Sequence, residues 1–290
     1  DYSSLTNCTG DGIGPDPGLQ NSGVSLLYLD HSIISHMGGS GCVFQSALIY
    51  GTDNLISHCV NYGLGCVSTP TSGAIISSWT ITNCGIGIYG EIIGYYTNCT
   101  VTFCAGDGIQ CLPGMDTPNL YMNGCTISNN GGIGVSNYNG LQAGACYFDD
   151  NGSHGVFGAW EETHAFSCSF SRNGGDGLQA GAMRSIWLVG CTFDQNALNG
   201  VTTGAPSVSI QNCIAMNNSG HGVQCAQIFW FADIDGLTSS GNGGDGLYAQ
   251  YGLEITGYHG FDNSGWGLRH ESGILTATDL NIHGNGAGGV

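Results

Sequence analysis

The sequence predicts an all-β solenoid, a parallel β-helix with three short strands in each coil. Three observations carry that prediction. The motif Asn-x-x-x-Gly-(Val/Leu) returns eight times in succession, from Asn130 to Val290, with a period of about 22 residues. A Cys stands nine residues before the glycine in six successive coils, and polar and apolar residues alternate on both sides of it. Helical periodicity is absent throughout. A fixed period in this range marks a coil that stacks on copies of itself.

The elements follow in order within the coil. The first strand is the alternating segment before each Cys, as in Ile186-Trp187-Leu188, Val208-Ser209-Ile210 and Leu253-Glu254-Ile255. Alternation of this kind turns one face inward and one outward. Next come Cys99, Cys125, Cys146, Cys168, Cys191 and Cys213, an inward column in which Cys serves as a small apolar residue. The second strand follows, with Val101, Ile127, Phe148, Phe170 and Phe193 facing in and Thr126, Tyr147, Ser169 and Thr192 facing out. The Asn then marks a tight bend, where a non-glycine residue is expected in the left-handed region. Stacked Asn side chains are also expected to bond from coil to coil and to the bend backbone. The glycine permits unusual φ or close chain approach, and Gly-(Val/Leu) opens the third strand.

A weaker form of the repeat extends upstream through Gly12, Gly41, Gly65, Gly87 and Gly108, with Asn61 and Asn83 four residues before Gly65 and Gly87. Cys8 and Cys104 occupy the Asn position. The glycine markers from Gly12 to Gly289 imply about 12 coils of about 22–23 residues, and one domain over residues 1–290. The repeat is clear over 99–290 and weaker over 1–98. Longer intervals place loops around Pro15 and Pro17 and around Leu112-Pro113-Gly114-Met115-Asp116.

The pattern Cys-x-(Phe/Ile)-x-x-Asn-x-x-x-Gly-(Val/Leu) resembles the right-handed β-helix repeat of the pectate-lyase-like superfamily. The resemblance implies a right-handed, single-stranded parallel β-helix. That superfamily spans polysaccharide lyases, glycoside hydrolases, epimerases, phage tailspikes and non-catalytic surface proteins, so it leaves function open.

Composition narrows the function classes. The chain of 290 residues has no lysine, and Arg172, Arg184 and Arg269 stand against 21 acidic residues, for a net charge of −18. Such a balance excludes nucleic acid as a partner, since displacing its counterions requires Lys and Arg. It also disfavours anionic membranes and strongly anionic polysaccharides. Neutral glycans, cations or other proteins remain. A hydrophobic content of 41% argues against disorder, and no apolar run reaches the length of a membrane span. The chain begins at Asp1 without Met or signal peptide, which reads as a mature or excised product. The expected location is extracellular, on a cell surface or on a virion, where like charge keeps molecules apart.

Fourteen cysteines raise the question of disulfides. The column spacing favours free buried thiols, with Cys42 and Cys66 as the best candidates for a bridge. No CxxC pair or Cys/His spacing suggests zinc. No cofactor is expected; surface calcium stays open as an alternative that no motif supports.

Chemistry is expected on an outward strand face. The cluster Trp160-Glu161-Glu162-Thr163-His164 stands out. One coil onward from it lie Arg184 and Trp187, and one and two coils back lie Gln142 and Tyr121. Glu161, Glu162, His164 and Arg184 are the candidate catalytic residues, with Tyr121, Trp160 and Trp187 as the substrate-binding set. A glycosidase needs two carboxyl groups about 5 Å apart for retention or about 6.5–9.5 Å for inversion, and Trp and Tyr faces suit sugars. A lyase would need a cation against the uronate, for which only Arg184 is at hand, so hydrolase ranks above lyase. The plain structural alternative is that Arg184 simply pairs with a glutamate of the coil before it.

Other polar sets read as structural. Asp149, Ser171 and Asp194 share an outward column beside the Asp150–Arg172 pair. Asp107, His154, Asp176, Asn199, His221 and Asp245 each precede a repeat glycine and read as turn residues, since the nine-residue period of calcium-binding repeats is absent. Tyr147 and Ile214 break the Thr126–Ser169–Thr192 column, against ice binding. Arg269-His270-Glu271 beside Trp266 is a small surface patch. Sequons at Asn7, Asn98, Asn151 and Asn217 matter only in a glycosylating host.

Two functions compete. One is a structural or adhesive rod with glycan recognition, such as a tailspike, adhesin or filament subunit. Val290 ends directly after a repeat without a visible cap, which is expected to favour a homo-oligomer or larger assembly through the ends. The other is a polysaccharide-degrading enzyme using the Glu161/Glu162 pair.

Overall fold

The computed structural model describes residues 3–14, 25–44, 47–66, 73–90, 93–112, 120–158, 161–181, 184–226 and 231–290. All of its regular elements are strands, and every pairing is parallel, so the all-β solenoid is as expected. The strands stack into three walls. The first wall holds twelve strands, from Ser25–Asp30 to Leu275–Thr278. The second is two six-stranded halves, which Tyr147 joins by bridging Thr126 and Ser169. The third holds eleven strands, from Cys42–Phe44 to Leu268–His270. Those eleven strands bound ten full turns between them, slightly fewer than the twelve coils expected.

Each turn visits the walls in the predicted order. Val135, Val156, Leu178, Val201, Val223, Leu247 and Leu268, which follow the repeat glycines, each open a third-wall strand. The core lies along the axis. Cys99, Cys125, Cys146, Cys168, Cys191 and Cys213 are each at most 3% exposed, and Leu237 and Tyr258 continue their column. On the second wall the fully buried rings of Phe148, Phe170 and Phe193 stack at 5.0 and 4.9 Å. This gives apolar burial on three sides in every turn, the main stabilising term of the fold.

The bend differs from expectation by one residue. Left-handed φ falls on Asn129, Asp150, Arg172, Gln195 and Asn217, each directly before a repeat Asn. The repeat Asn itself turns inward. From Asn130 through Asn285, each Nδ2 donates to the Oδ1 of the next, at 2.8 to 3.1 Å. The predicted coil-to-coil bonding is therefore present, while the strained backbone belongs to the neighbour. A second left-handed column, including Asn98, Gly124, Ala145, Ser167 and Gly190, turns the first wall into the second.

The glycine four residues after each Asn is there for close approach. A Cβ on Gly134 would lie 2.4 Å from the Gly155 carbonyl oxygen and 2.7 Å from Asn151 Nδ2. Upstream, the Asn position is taken by Met37, Cys59, Cys84 and Cys104, each following a left-handed residue. Asn61 and Asn83 are not ladder residues; Asn83 is itself the left-handed one, at φ 55°. Cys104 joins the two regimes, its backbone N–H donating to Asn130 Oδ1 at 3.1 Å.

All fourteen cysteines are thiols rather than disulfides, and all but Cys8 are buried. The proposed Cys42–Cys66 bridge fails on register: Cys42 lies opposite Leu64, and Cys66 opposite Phe44. Burial pushes the thiols of Cys42, Cys111 and Cys225 up to about 12. The loops expected around Pro15 and Pro17 and from Pro113 to Asp116 lie outside the described residues.

Candidate functional site on the first wall

Register places most of the candidate cluster on one outward column. Tyr95, Tyr121, Gln142, His164 and Trp187 are successive partners on neighbouring first-wall strands. Tyr28, Tyr50 and Ile75 extend the column upstream. Tyr95 and Tyr121 stack face to face, 4.6 Å apart and 2° from parallel. Trp187 meets His164 and Phe166 edge-on, at 5.8 and 5.5 Å.

The charged members sit at the start of these strands. Arg184 Nε lies 2.6 Å from Glu161 Oε2, the cross-coil pair the spacing implied. Glu162 Oε2 lies 3.9 Å from His164 Nε2. Glu161, Glu162, His164, Arg184, Tyr121 and Trp187 thus share one face, and Trp160 lies outside the described residues. Glu161 and Arg184 are both well exposed, so water screens their attraction.

A hollow of about 310 Å³ opens beside the charged members of this cluster and shares Tyr121 with it. It is bordered by Tyr95, Tyr121, Asn123, Gln142, Gly144 and Phe166. Its origin is a missing side chain. Asn123, Gly144 and Phe166 are successive partners on the next outward column, and Gly144 leaves the gap. Sequence reasoning found Tyr121 and reached Gln142 but missed Asn123, Gly144 and Phe166. Aligning the strands on the coil period would have shown a glycine between two larger outward residues. None of the groups lining the hollow is a carboxylate, imidazole, ammonium or guanidinium.

The remaining polar sets are structural. Asp149 accepts from Ser169 Oγ at 2.8 Å and from the Ser171 N–H at 2.7 Å; burial pushes its carboxyl up while these bonds oppose the shift. Arg172 grips Asp150 through two bonds of 2.7 Å. The residues before the repeat glycines form a second ladder. His154 Nδ1 accepts from the Asp176 N–H, and His221 Nδ1 from the Asp245 N–H, both at 2.9 Å. Asp176 and Asn199 accept from the next coil in the same way, at 2.8 and 2.6 Å. Arg269 pairs with Glu271 at 3.0 Å and lies over the Tyr248 ring. Among the described residues, no group of three or more His, Cys, Asp or Glu is placed to hold a metal ion. No helix there is long and apolar enough to cross a membrane.

Fold and site define a parallel β-solenoid with an aromatic outward face. The chain belongs to the right-handed β-helix region family, whose model matches residues 1–144 and 131–290. This upholds the pectate-lyase-like resemblance and fixes the hand of the coil. Among solved structures, the chain is similar to the A-module of the mannuronan C-5 epimerase of Azotobacter vinelandii. Identity is 14%, over 93% of this chain and 90% of that one, with a TM-score of 0.58. It is also similar to a periplasmic alginate epimerase, at 13% identity over 90% and 76% of the two chains, with a TM-score of 0.53. Likeness at these identities is of fold alone. No curated protein matches the chain.

Proposed function

We propose that this protein is an extracellular or virion-surface β-solenoid, a structural or adhesive rod of one domain that binds glycan on its first wall. One observation carries the reading. The hollow combines stacked tyrosines, a phenylalanine, an asparagine and a glutamine, and its lining holds no acid–base pair. Aromatic faces and amides fit a sugar ring and its hydroxyls. Hydrolysis needs two carboxyl groups flanking the scissile bond, and the lining supplies neither. The described surroundings also favour an uncharged glycan, because Arg184 is matched by Glu161 and leaves no free cation for a uronate. Assembly through the solenoid ends belongs to the same proposal, and sedimentation showing a discrete monomer at all concentrations would remove it.

The alternative is a polysaccharide hydrolase using Glu161 and Glu162. Its support is the contact of Glu162 with His164, on the bank next to the hollow. Both readings meet in one experiment. Glycan-array binding and reducing-end release are measured for wild type and for a Glu161→Gln/Glu162→Gln variant. Binding by both proteins without product release supports the binding rod. Release by wild type that the variant loses establishes the enzyme, and absence of any binding rejects both.

A further inference from the structure

The hollow has a direction, and Gly144 sets it. The strand Leu141–Gly144 runs between Leu120–Asn123 and Glu162–Phe166. Tyr95 and Thr97 line the hollow on the strand before Leu120–Asn123, and Phe166 closes it on the far side. Between them the outward positions carry Gln142, half-buried, and Gly144, which has no side chain. The gap is therefore a short trench along the solenoid axis, lined from Tyr95 and Thr97 to Phe166 over three strand spacings, about 14 Å between backbones. Trp187 props Phe166 from behind through its edge contact.

The fold does not require glycine at this position. Gly144 is not among the residues with left-handed φ. A methyl group there would meet only Asn123 Oδ1, a side-chain atom, at 3.2 Å. Elsewhere on the walls the contrast is plain: a Cβ on Gly51 would meet the Leu29 carbonyl at 2.1 Å, and one on Gly158 the Asn137 carbonyl at 2.2 Å. Those glycines are required by the backbone, whereas Gly144 serves the empty space above it.

We propose that Gly144 is a specificity-determining residue: it holds open a short axial trench that seats one or two uncharged sugar rings. This rests on the glycan reading above and adds the orientation and size of the site. The volume equals that of about ten waters, enough for a short segment. Tyr95 and Phe166 bound that segment along the axis, so a longer chain gains nothing from Tyr28 or Tyr50 upstream.

The test is calorimetric titration with uncharged oligosaccharides, namely gluco-, manno-, galacto- and N-acetylglucosamine series from two to six units. The expected result is affinity that stays within about twofold from dimer to hexamer for the series that binds. Gly144→Val is expected to weaken binding at least tenfold with an unchanged Tm and circular dichroism spectrum. A tenfold rise in affinity from dimer to hexamer would overturn the short trench while leaving glycan binding intact. So would a folded Gly144→Val protein that binds as wild type does. The length series uses wild type alone, so it decides the matter even where the variant does not fold. Wild type that binds no series at all overturns the glycan reading and the trench together.

Discussion

Asn173 and Asn151 are bonded twice across adjacent coils: the Asn173 Oδ1 accepts both the backbone N–H and the Nδ2 of Asn151, each at 3.1 Å. Asn173 Nδ2 in turn donates to the Phe148 carbonyl at 2.8 Å and to Asn196 Oδ1 at 3.1 Å. One side chain thus satisfies four buried polar partners. Orphaned buried groups cost about 1–3 kcal/mol each, and partial relaxation leaves a net cost of about 3 kcal/mol or more. Asn173→Ala is therefore expected to lower Tm by roughly 5–10 °C in thermal denaturation. Asn173→Asp is expected to do no better at neutral pH, because a carboxylate cannot donate to Phe148 or Asn196. A variant with wild-type Tm would show that the ladder follows the fold without stabilising it.

The first corner allows a test of backbone strain with little side-chain interference. Ala145 has φ 49°, while Gly190, two coils on in the same column, has φ 63°. A Cβ on Gly190 would meet only Ser167 Oγ, at 3.7 Å, so Gly190→Ala tests conformation almost alone. It is expected to destabilise by about 1 kcal/mol, and Ala145→Gly to stabilise by up to about that amount. Opposite shifts of Tm in the two variants are the predicted signature. Shifts of the same sign would mean that packing outweighs φ.

These two columns show what was legible in the sequence and what was not. Asn173 and Gly177 recur with the coil because each meets its own copy one turn away, and repetition of that contact repeats the residue. The left-handed position before the Asn carries Asn129, Asp150, Arg172, Gln195 and Asn217 in turn. Its side chain points to solvent, so nothing unifies the residue type, and the recurring Asn is the more visible marker of the bend. The Glu161–Arg184 pair was legible because register in a parallel stack follows from counting one coil. The trench was not, because Gly144 is one of 52 glycines and its meaning lies in what flanks it on other strands.

The second ladder makes stability depend on pH. Burial lowers the pKa of both His154 and His221, with Asp176 opposing the shift at the first and Asp245 at the second, where Arg269 adds to the lowering. Each Nδ1 accepts a backbone N–H, which only the neutral ring can do. A histidine with a depressed folded pKa contributes its full stability above the unfolded value of about 6.5. As pH falls below that value the unfolded chain binds the proton first, and stability declines until the folded pKa is passed. Tm is expected to fall between pH 7 and pH 5. A His154→Asn/His221→Asn variant is expected to show a flatter profile, since Asn199 fills the same role with an amide oxygen. An unchanged slope in the variant would assign the acid sensitivity to other groups.

The thiols should be silent in the folded protein. Cys8 is half-buried and the other cysteines are buried; burial pushes Cys42, Cys111 and Cys225 up to about 12, whereas hydrogen bonds from neighbouring thiols lower Cys84, Cys125 and Cys213, so inaccessibility is what keeps the set silent. Alkylation requires an accessible thiolate. Native protein treated with iodoacetamide at pH 8 is expected to gain label at Cys8 alone, and all fourteen sites are expected to react in denaturant. Peptide mass spectrometry reads this directly. Rapid native labelling of Cys146 or Cys168 would indicate that the coils open far more readily than their packing implies.

Arg184 separates the structural from the chemical meaning of the charged cluster. Its bond to Glu161 is short, yet both side chains are well exposed, and pairs of this kind stabilise by at most about 1 kcal/mol. Arg184→Gln is expected to shift Tm by no more than roughly 2–3 °C. If the pair only fastens two coils, glycan affinity stays within about twofold of wild type, because the trench is lined from Tyr95 to Phe166 and Arg184 is not part of that lining. Uronate-containing oligosaccharides are expected to bind neither protein, since the wild-type guanidinium is already neutralised by Glu161. Wild type that binds them, and loses them on Arg184→Gln, would instead show the cation reaching substrate and would bring the enzymatic reading of Glu161 and Glu162 forward.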